Sequence, residues 1–301
     1  MNRQVRKAVI PAAGFGTRFL PASKIIPKEL IPIVDKPTVQ YIFEELKEAG
    51  VEEFIFIISK GKETLADHFK PHGELEKYLK EKNKKDLLDV LEVTQNFGKV
   101  TFVYQDFPRG LGHAVLCAEK AVAGEPFIVA LGDDLIDHPG NSCSQQLCAL
   151  FKEFGKSMVS VQEVELSEVQ KYGIVSPKFL PEDAKYALDS KRRLIALKDL
   201  VEKPTPQSAP SRLAIVGRYL LTPDIFPILA KTGQGVGGEI QLTDGLKALN
   251  QASELYAYVF EGKRFDAGDK FGFLQATLHY GLKHPELGGR FKEFLKNLRV
   301  N

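Results

Sequence analysis

The amino-acid sequence predicts an α/β protein with a mixed, mainly parallel β-sheet flanked by helices. Short runs rich in Val, Ile and Phe recur along the chain, and segments with helical spacing of apolar residues separate them. This alternation is typical of parallel strands whose connecting helices cover the sheet. The predicted strands lie at residues 7–10, 54–58, 100–104, 127–131, 158–161 and 213–221.

The helical segments are predicted in order from apolar spacing and from residues that begin or end helices. Between Pro37 and Gly50 the apolar residues recur at helical intervals, with proline suited to the first turn and glycine to the end. Residues 63–92 are densely charged, which predicts two or three surface helices between strands. Near the carboxyl end, Pro285 divides two predicted helices within residues 270–298.

Composition limits the classes of protein to which the chain can belong. Its 301 residues, 44% apolar and 27% charged, suit a folded domain and exclude disordered or fibrous classes. The net charge of +2 argues against nucleic acid as a partner, so any anion site must be local. The short apolar run near the N-terminus and the lack of any run of ~18 apolar residues predict a cytoplasmic protein without a membrane partner.

A loop rich in glycine and polar residues follows the first predicted strand, with the sequence AAGFGTRFLPASK. Gly14 and Gly16 let the backbone approach a ligand and expose its N–H groups, while Thr17 and Arg18 supply a hydroxyl and a positive charge. The pattern is neither the dinucleotide-binding GxGxxG nor the P-loop GxxxxGK[ST]. It predicts a phosphate-binding loop, and a simple glycine turn between strand and helix is the alternative.

The loop continues into IIPKEL, and with this extension the chain resembles the sugar-1-phosphate nucleotidyltransferases, most closely their bacterial uridylyltransferase branch. The family signature is similar to GxGTRxxPxTKxxPKE, in which Ser23 replaces the usual threonine and keeps the hydroxyl. Further matching motifs follow in the family's order along nearly the whole chain. They are QDFPRGLGHAV (105–115), LGDD (131–134), KYGIV (171–175), VEKP (201–204), APSRLAIVGRY (209–219), GEIQLTD (238–244) and FDAGDK (265–270).

The resemblance implies a fold, a reaction and an assembly. The fold is the Rossmann-like nucleotide-diphospho-sugar transferase fold in one domain, residues 1–301, with a mainly nucleotide-binding half (1–156), a mainly sugar-binding half (157–269) and C-terminal helices (270–301). The implied reaction is direct, in-line attack of glucose 1-phosphate on UTP, assisted by Mg²⁺, which gives UDP-glucose and pyrophosphate. The implied assembly is a homodimer or homotetramer.

The resemblance also assigns carboxylates to the metal. Asp133 follows the predicted strand 127–131, at the end where open parallel sheets place ligand groups. Its neighbour Asp134 competes for this role, but the family pattern selects Asp133 and adds Asp266 of the FDAGDK motif. Two carboxylates with phosphate oxygens and water suit Mg²⁺.

The remaining implied site residues bind the two substrates. Arg18 and Lys28 are expected beside the β- and γ-phosphates, and Lys203 beside the phosphate of the sugar. The nucleotide-binding residues implied by the resemblance are Ala12, Ala13, Gly14, Gly16, Thr17, Gln105 and Gly110. The sugar-binding residues implied by it are Gly173, Glu202 and Lys203.

Two alternatives stay open from the sequence. A thymidylyltransferase making dTDP-glucose is one, because LGDD resembles that branch, whereas uridylyltransferases more often have proline before the aspartate. The other is a regulatory or interaction protein built on an inactive transferase fold. The presence of Arg18, Lys28, Asp133 and Lys203 together argues against this second alternative.

Overall fold

The computed structural model describes residues 3–95, 98–178 and 193–298, so residues 179–192 of the predicted sugar-binding half lie outside it. Strands and helices alternate along most of the chain. The strands are β1 (Lys7–Pro11), β2 (Pro32–Ile33), β3 (Lys36–Pro37), β4 (Glu53–Ile58), β5 (Lys99–Tyr104), β6 (Phe127–Ala130), β7 (Asp134–Asp137), β8 (Met158–Glu163), β9 (Gly173–Pro177), β10 (Leu194–Glu202), β11 (Leu213–Leu221), β12 (Tyr256–Val259) and β13 (Lys263–Asp266). The helices are α1 (Thr38–Glu48), α2 (Thr64–Asp67), α3 (Gly73–Glu81), α4 (Lys85–Val93), α5 (Leu111–Cys117), α6 (Glu119–Val122), α7 (Cys143–Phe154), α8 (Ile225–Leu229), α9 (Leu242–Ala252), α10 (Lys270–Lys283) and α11 (Gly288–Asn297).

The described strands form one large sheet in the order β5-β4-β1-β6-β11-β8-β12-β10-β9, with a further contact between β11 and β9. The four strands from β5 to β6 are parallel, and β8 is parallel to β12. Only β10 and β11 are antiparallel to the other seven strands of this sheet. The predicted mixed, mainly parallel sheet is therefore confirmed.

Both faces of the sheet are buried, which explains why its strands read as continuous apolar runs. In β1, Ala8 and Ile10 join one core cluster, while Val9 between them joins the other. Residues of α1, α7 and α10 cover the first face, and residues of α5, α8 and α9 cover the second. Period-two alternation places successive side chains on opposite faces, so each strand contributes to two cores.

The predicted helices are present with small shifts at their ends. Pro37 precedes α1 as its N-cap residue and is not in the first turn. The charged segment holds three helices, α2 to α4, and Pro285 lies between α10 and α11. Within the described residues, we find no helix that combines the length and the apolar character needed to cross a membrane.

A small two-stranded sheet, which the sequence did not predict, pairs β7 with β13 in antiparallel register. This pairing places Asp266 opposite Asp134, although the two residues are far apart in the sequence. The loops after β1, β4, β5 and β6 leave the large sheet at the same edge, because these strands are parallel. Ligand sites of open parallel sheets lie at this edge.

A buried ion pair fixes the sheet against the helices of one face. Arg218 of β11 is fully buried and donates to both carboxylate oxygens of Glu45 in α1, at 2.6 and 3.0 Å. Its guanidinium also donates to the backbone oxygen of Asp134 at 3.0 Å. The carboxylate of Glu45 accepts from the backbone N–H and the hydroxyl of Ser144, at 3.1 and 2.6 Å. This network joins α1, α7, β7 and β11.

Replacement of Arg218→Met should lower the free energy of unfolding by about 3–5 kcal/mol, because the Glu45 carboxylate would stay buried without its cation. Urea unfolding measures the change. The exposed pair of Arg212 and Glu163 provides the control, since Arg212→Met should cost less than about 1 kcal/mol. The double variant Arg218→Met, Glu45→Met should recover much of the loss, and a double variant as unstable as the single one would contradict this explanation.

Candidate active site

A cavity of about 330 Å³ opens beside the end of β6, between the loop after β1, the strand β11 and the segment before β9. It brings together side chains from both predicted halves of the chain. The predicted site residues that line it are Arg18, Asp133, Gly173, Glu202, Lys203 and Asp266. The predicted nucleotide-binding residues lie beside it, in the loops that follow β1 and β5.

The glycine-rich loop is held in shape by its own contacts. Ala12 extends the pairing of β1, since its N–H donates to the carbonyl of Ile57 at 2.8 Å. Gly16 has a φ of 65°, in the left-handed region, and a Cβ there would lie 3.3 Å from the Cβ atoms of Ser23 and Lys28. The hydroxyl of Ser23 donates to the carbonyl of Gly16 at 2.7 Å. Serine therefore supplies the hydroxyl that the family signature has in threonine.

Asp133 lines the cavity and forms a direct ion pair with Lys28, which is not among the lining residues. Burial acts to lower the pKa of Lys28, but the neighbouring Asp133 and Glu29 outweigh it and raise that pKa. Burial likewise acts to raise the pKa of Asp133, while Lys28 holds it below its usual value. Both groups are therefore charged near neutral pH. Arg18 approaches from the other side and donates to the carbonyl of Gly268 at 3.2 Å.

Asp134 is a structural carboxylate. Its side chain is buried, one oxygen accepts from the backbone N–H of Gly217 at 2.9 Å, and the other accepts from Nε of Arg264 at 2.5 Å. Both oxygens are thus occupied by protein donors. Between the two adjacent aspartates, Asp133 is the one that pairs with Lys28.

The carboxylates of Asp133 and Asp266 both lie next to Gly268. A Cβ at Gly268 would clash with Oδ2 of Asp133 and would lie 3.1 Å from Oδ1 of Asp266. Burial, with the negative charges of Asp134 and Asp133, raises the pKa of Asp266 although Arg264 opposes this. Adjacent carboxylates that repel one another in this way form a donor set suited to a hard divalent cation. Within residues 3–95, 98–178 and 193–298, no group of three His, Cys, Asp or Glu side chains is arranged to hold a metal ion.

The predicted sugar-binding residues meet where β9 pairs with β10. Gly173 lies opposite Glu202, and a Cβ at Gly173 would lie 2.6 Å from the hydroxyl of Thr243 and 3.3 Å from Oε2 of Glu202. Lys203 follows with a φ of 46°, an unusual conformation for a residue other than glycine, and its N–H donates to the carbonyl of Tyr172 at 2.9 Å. Its ammonium lies 3.4 Å from Oε1 of Glu202. Backbone strain of this kind is concentrated at functional sites.

Gln105 is buried at the end of β5, where its Nε2 lies 2.8 Å from Nδ1 of His113. Burial and the positive charge of Arg109 lower the pKa of His113, so its ring is neutral near pH 7 and Nδ1 can accept from the amide.

Gly110 caps α5 with a φ of 97°, and a Cβ there would lie 2.7 Å from the carbonyl of Ile240. Glycine is therefore required at this turn.

Sequence reasoning missed three side chains that hold the predicted residues in place. Arg264 contacts Asp134 and lies 3.7 Å from Oδ2 of Asp266, and its guanidinium stacks over the ring of Tyr172 at 5.3 Å. Lys62 and His113 hold residues of the nucleotide side. No local pattern marks Arg264 or Lys62, because each acts through a contact between distant parts of the chain. His113 lies within a matched motif but has no charge near neutral pH.

Comparison with known proteins places these residues in a family. A family model described as nucleotidyl transferase matches residues 7–281. A UTP–glucose-1-phosphate uridylyltransferase of Staphylococcus saprophyticus is 46% identical over 299 residues, which cover 99% of this chain and 100% of the relative. A UTP–glucose-1-phosphate uridylyltransferase of Bacillus subtilis is 45% identical over 298 residues, with 98% of both chains covered.

Solved structures show the same similarity. A UTP-bound enzyme of this kind from Acinetobacter baumannii superposes with a TM-score of 0.88 at 38% identity, covering 98% of this chain and 100% of that chain. A UDP-glucose pyrophosphorylase complexed with UDP-glucose superposes with a TM-score of 0.82 at 39% identity, covering 93% of this chain and 100% of that chain. The similarity therefore extends over the whole of the site described above.

Proposed function

This chain belongs to the nucleotidyl transferase family, and we propose that it transfers the uridylyl group of UTP to glucose 1-phosphate, giving UDP-glucose and pyrophosphate. One observation carries the proposal from the site itself. A single cavity joins Arg18 and the two carboxylates Asp133 and Asp266 to Glu202 and Lys203, so groups suited to a triphosphate and to a sugar phosphate face each other. The names of relatives at 45–46% identity favour UTP over dTTP as the donor.

The reaction is a direct displacement at phosphorus. A phosphate oxygen of glucose 1-phosphate forms a bond to the α-phosphorus of UTP, the bond from that phosphorus to the bridging oxygen breaks, and pyrophosphate leaves with the electron pair. The attacking phosphate is already ionised, so no general base is needed. The protein contributes by placing two polyanions in line and by stabilising negative charge in the transition state.

Each charged residue has a defined task in this scheme. Lys203 neutralises and orients the attacking sugar phosphate, since its backbone holds its side chain at the cavity. Arg18 and Lys28 stabilise the triphosphate and the leaving pyrophosphate. Glu202 accepts hydrogen bonds from sugar hydroxyls, and the backbone of Gly173 lies next to it.

A divalent cation is general in the family, and the facing carboxylates of Asp133 and Asp266 fit one. We propose Mg²⁺, which would neutralise charge on phosphate oxygens when bound. Lys28 would then share Asp133 with the cation. Assembly as a homodimer or homotetramer and a cytoplasmic location stay predictions from the sequence.

The base is proposed to contact Gln105. With Nε2 donating to His113, the amide presents Oε1 as an acceptor, and uracil offers a matching N3–H donor. The corresponding N1 of adenine is an acceptor and would leave the buried amide oxygen unpaired. Uracil is therefore favoured over adenine.

The function is tested by a matrix of four nucleoside triphosphates against several sugar phosphates, scored by the mass of the nucleotide sugar and by pyrophosphate release. UTP with glucose 1-phosphate should give the highest specificity constant. A protein that releases no pyrophosphate with any pair would contradict the enzymatic function.

Asp133→Asn should lower kcat/KM roughly 10²- to 10³-fold, the size of one lost electrostatic contact to the transition state. Thermal melting should stay near that of the wild type. Turnover is measured against Mg²⁺ concentration in both proteins. Asp137→Asn is the matched control, because Asp137 pairs with Lys283 and His279 away from the cavity and its replacement should leave turnover unchanged. Unchanged turnover in the Asp133 variant would remove this carboxylate from the site.

Lys203→Ala should raise the KM for glucose 1-phosphate about 10- to 100-fold, because it removes a charged partner of the sugar phosphate. Calorimetric titration with UTP should give nearly the wild-type dissociation constant. Lys247→Ala is the control, since Lys247 pairs with Asp199 at 2.9 Å and does not line the cavity. An equal loss of affinity for both substrates would refute this division of tasks.

Gln105→Ala should reduce the preference for UTP over ATP by roughly 2–5 kcal/mol, the worth of one or two buried hydrogen bonds. The ratio of the two specificity constants measures this preference in the wild type and the variant. Gln146→Ala is the control, because Gln146 binds Tyr258 and the Glu261 backbone outside the cavity. An unaltered ratio in the Gln105 variant would show that another residue reads the base.

A further inference from the structure

Lys62 is a lysine that the proposed chemistry does not use. It lies beside the nucleotide loop, the segment 12–29 that begins with the glycine-rich residues after β1. It follows β4 and is 8% exposed. Its ammonium donates to the backbone carbonyl of Ala12 at 2.6 Å and to both carboxylate oxygens of Glu29, at 2.9 and 3.1 Å. A lysine ammonium has three N–H donors, and these contacts use all of them. Lys62 therefore has no donor left for a substrate.

The two partners of Lys62 lie at the two ends of the nucleotide loop. Ala12 is its first residue, and its N–H is fixed to the carbonyl of Ile57, so both of its backbone polar groups are held by the neighbouring strand and Lys62. Glu29 has a fully buried side chain and directly follows Lys28. The ammonium of Lys62 thus contacts both the first and the last residue of the nucleotide loop.

Glu29 also packs against the loop between β6 and β7, which carries Asp133. A Cβ at Gly132 would lie 3.3 Å from Cγ of Glu29, so the glutamate packs against the residue before Asp133. Residues 28 and 29 therefore hold residues 132 and 133 by two contacts, the ion pair of Lys28 with Asp133 and the packing of Glu29 on Gly132. The position of Glu29 depends in turn on Lys62, its only ion-pair partner among the described residues.

We infer that Lys62 is a positioning residue for UTP: it fixes the carbonyl of Ala12 and the carboxylate of Glu29, and through them the nucleotide loop and the Lys28–Asp133 pair. The inference rests on the proposed function and extends it to a side chain that touches neither substrate. The residues proposed to bind the sugar phosphate, Gly173, Glu202 and Lys203, lie in or directly after β9 and β10. Loss of Lys62 should therefore affect UTP selectively.

The chain offers a matched control in Lys7. This lysine is 5% exposed, pairs with Glu125 at 2.9 Å and donates to the carbonyl of Val122 at 3.0 Å. It lies at the amino end of β1, whereas the nucleotide loop follows the carboxyl end. Lys7→Met and Lys62→Met each remove one buried cation, so a general loss of stability should appear in both.

The experiment compares the two variants for thermal melting, for UTP binding by calorimetry with Mg²⁺ present, and for KM and kcat with each substrate. Lys62→Met should weaken UTP binding roughly 10- to 100-fold, as expected when charged hydrogen bonds are lost. Its KM for glucose 1-phosphate should stay within about twofold of the wild type. Lys7→Met should melt earlier but bind UTP normally. UTP binding that is unchanged in Lys62→Met, or equally weakened in Lys7→Met, would overturn the inference.

The double variant Glu29→Met, Lys62→Met covers the case in which the single variant does not fold. It leaves no unpaired buried carboxylate, so it should melt near the wild-type temperature. It should still bind UTP weakly, because the carbonyl of Ala12 lacks its donor, and wild-type UTP binding in this variant would overturn the inference. A wild-type protein that binds UTP but makes no nucleotide sugar would instead contradict the proposed function and leave the role of Lys62 in UTP binding intact.

Discussion

Three carboxylates meet at the end of β6, and the charges around them constrain the rest of the site. A buried carboxylate is stable only with a cation or several hydrogen-bond donors. Asp134 has both, from Arg264 and from the backbone of Gly217. Asp266 accepts from the N–H of Gly268 and shares Arg264, whereas Asp133 meets Lys28 at the cavity. All three carboxylates line the cavity, but Gly217 and Arg264 already donate to both oxygens of Asp134.

Contacts of two arginines around Asp134 also join the two predicted halves of the chain. Arg218 in β11 binds Glu45 in α1 and the backbone of Asp134, and Arg264 in β13 binds the side chain of Asp134. Because β11 also pairs with β6 in the large sheet, one core cluster contains residues from both proposed sides, such as Val129 and Ile215. Both arginines therefore hold Asp134, the residue directly after Asp133. This rigidity matters for a displacement reaction, in which misplacement of about 1 Å costs ~10²-fold in rate.

The sequence predicted most of the sheet but few of the contacts that position the site. The six apolar runs became strands because burial on both faces leaves a strong local pattern, and the site motifs lie at the strand ends where topology brings them together. The pairing of β7 with β13 was missed because each strand is only four residues long and the partner lies more than a hundred residues away. Arg264 and Lys62 were missed because the residues they contact are likewise distant in the sequence. Their importance comes from partners in space, whereas Arg18 and Lys203 were found from motifs that need no knowledge of their contacts.

The contact between Gln105 and His113 bears on the base preference proposed above. A neutral ring can accept from the Gln105 amide, which leaves the amide oxygen available, and in the proposed function this oxygen pairs with a base that has a donor at the matching position. Adenine lacks that donor, so the proposed contact favours UTP over ATP by roughly 2–5 kcal/mol, the worth of one or two buried hydrogen bonds. Uracil and thymine present the same edge and differ by one methyl group, which is worth only about 1–3 kcal/mol in a pocket. The hydrogen bond proposed for Gln105 therefore separates uracil from adenine, whereas discrimination between UTP and dTTP would depend on the weaker contacts around the 5-methyl group and the ribose.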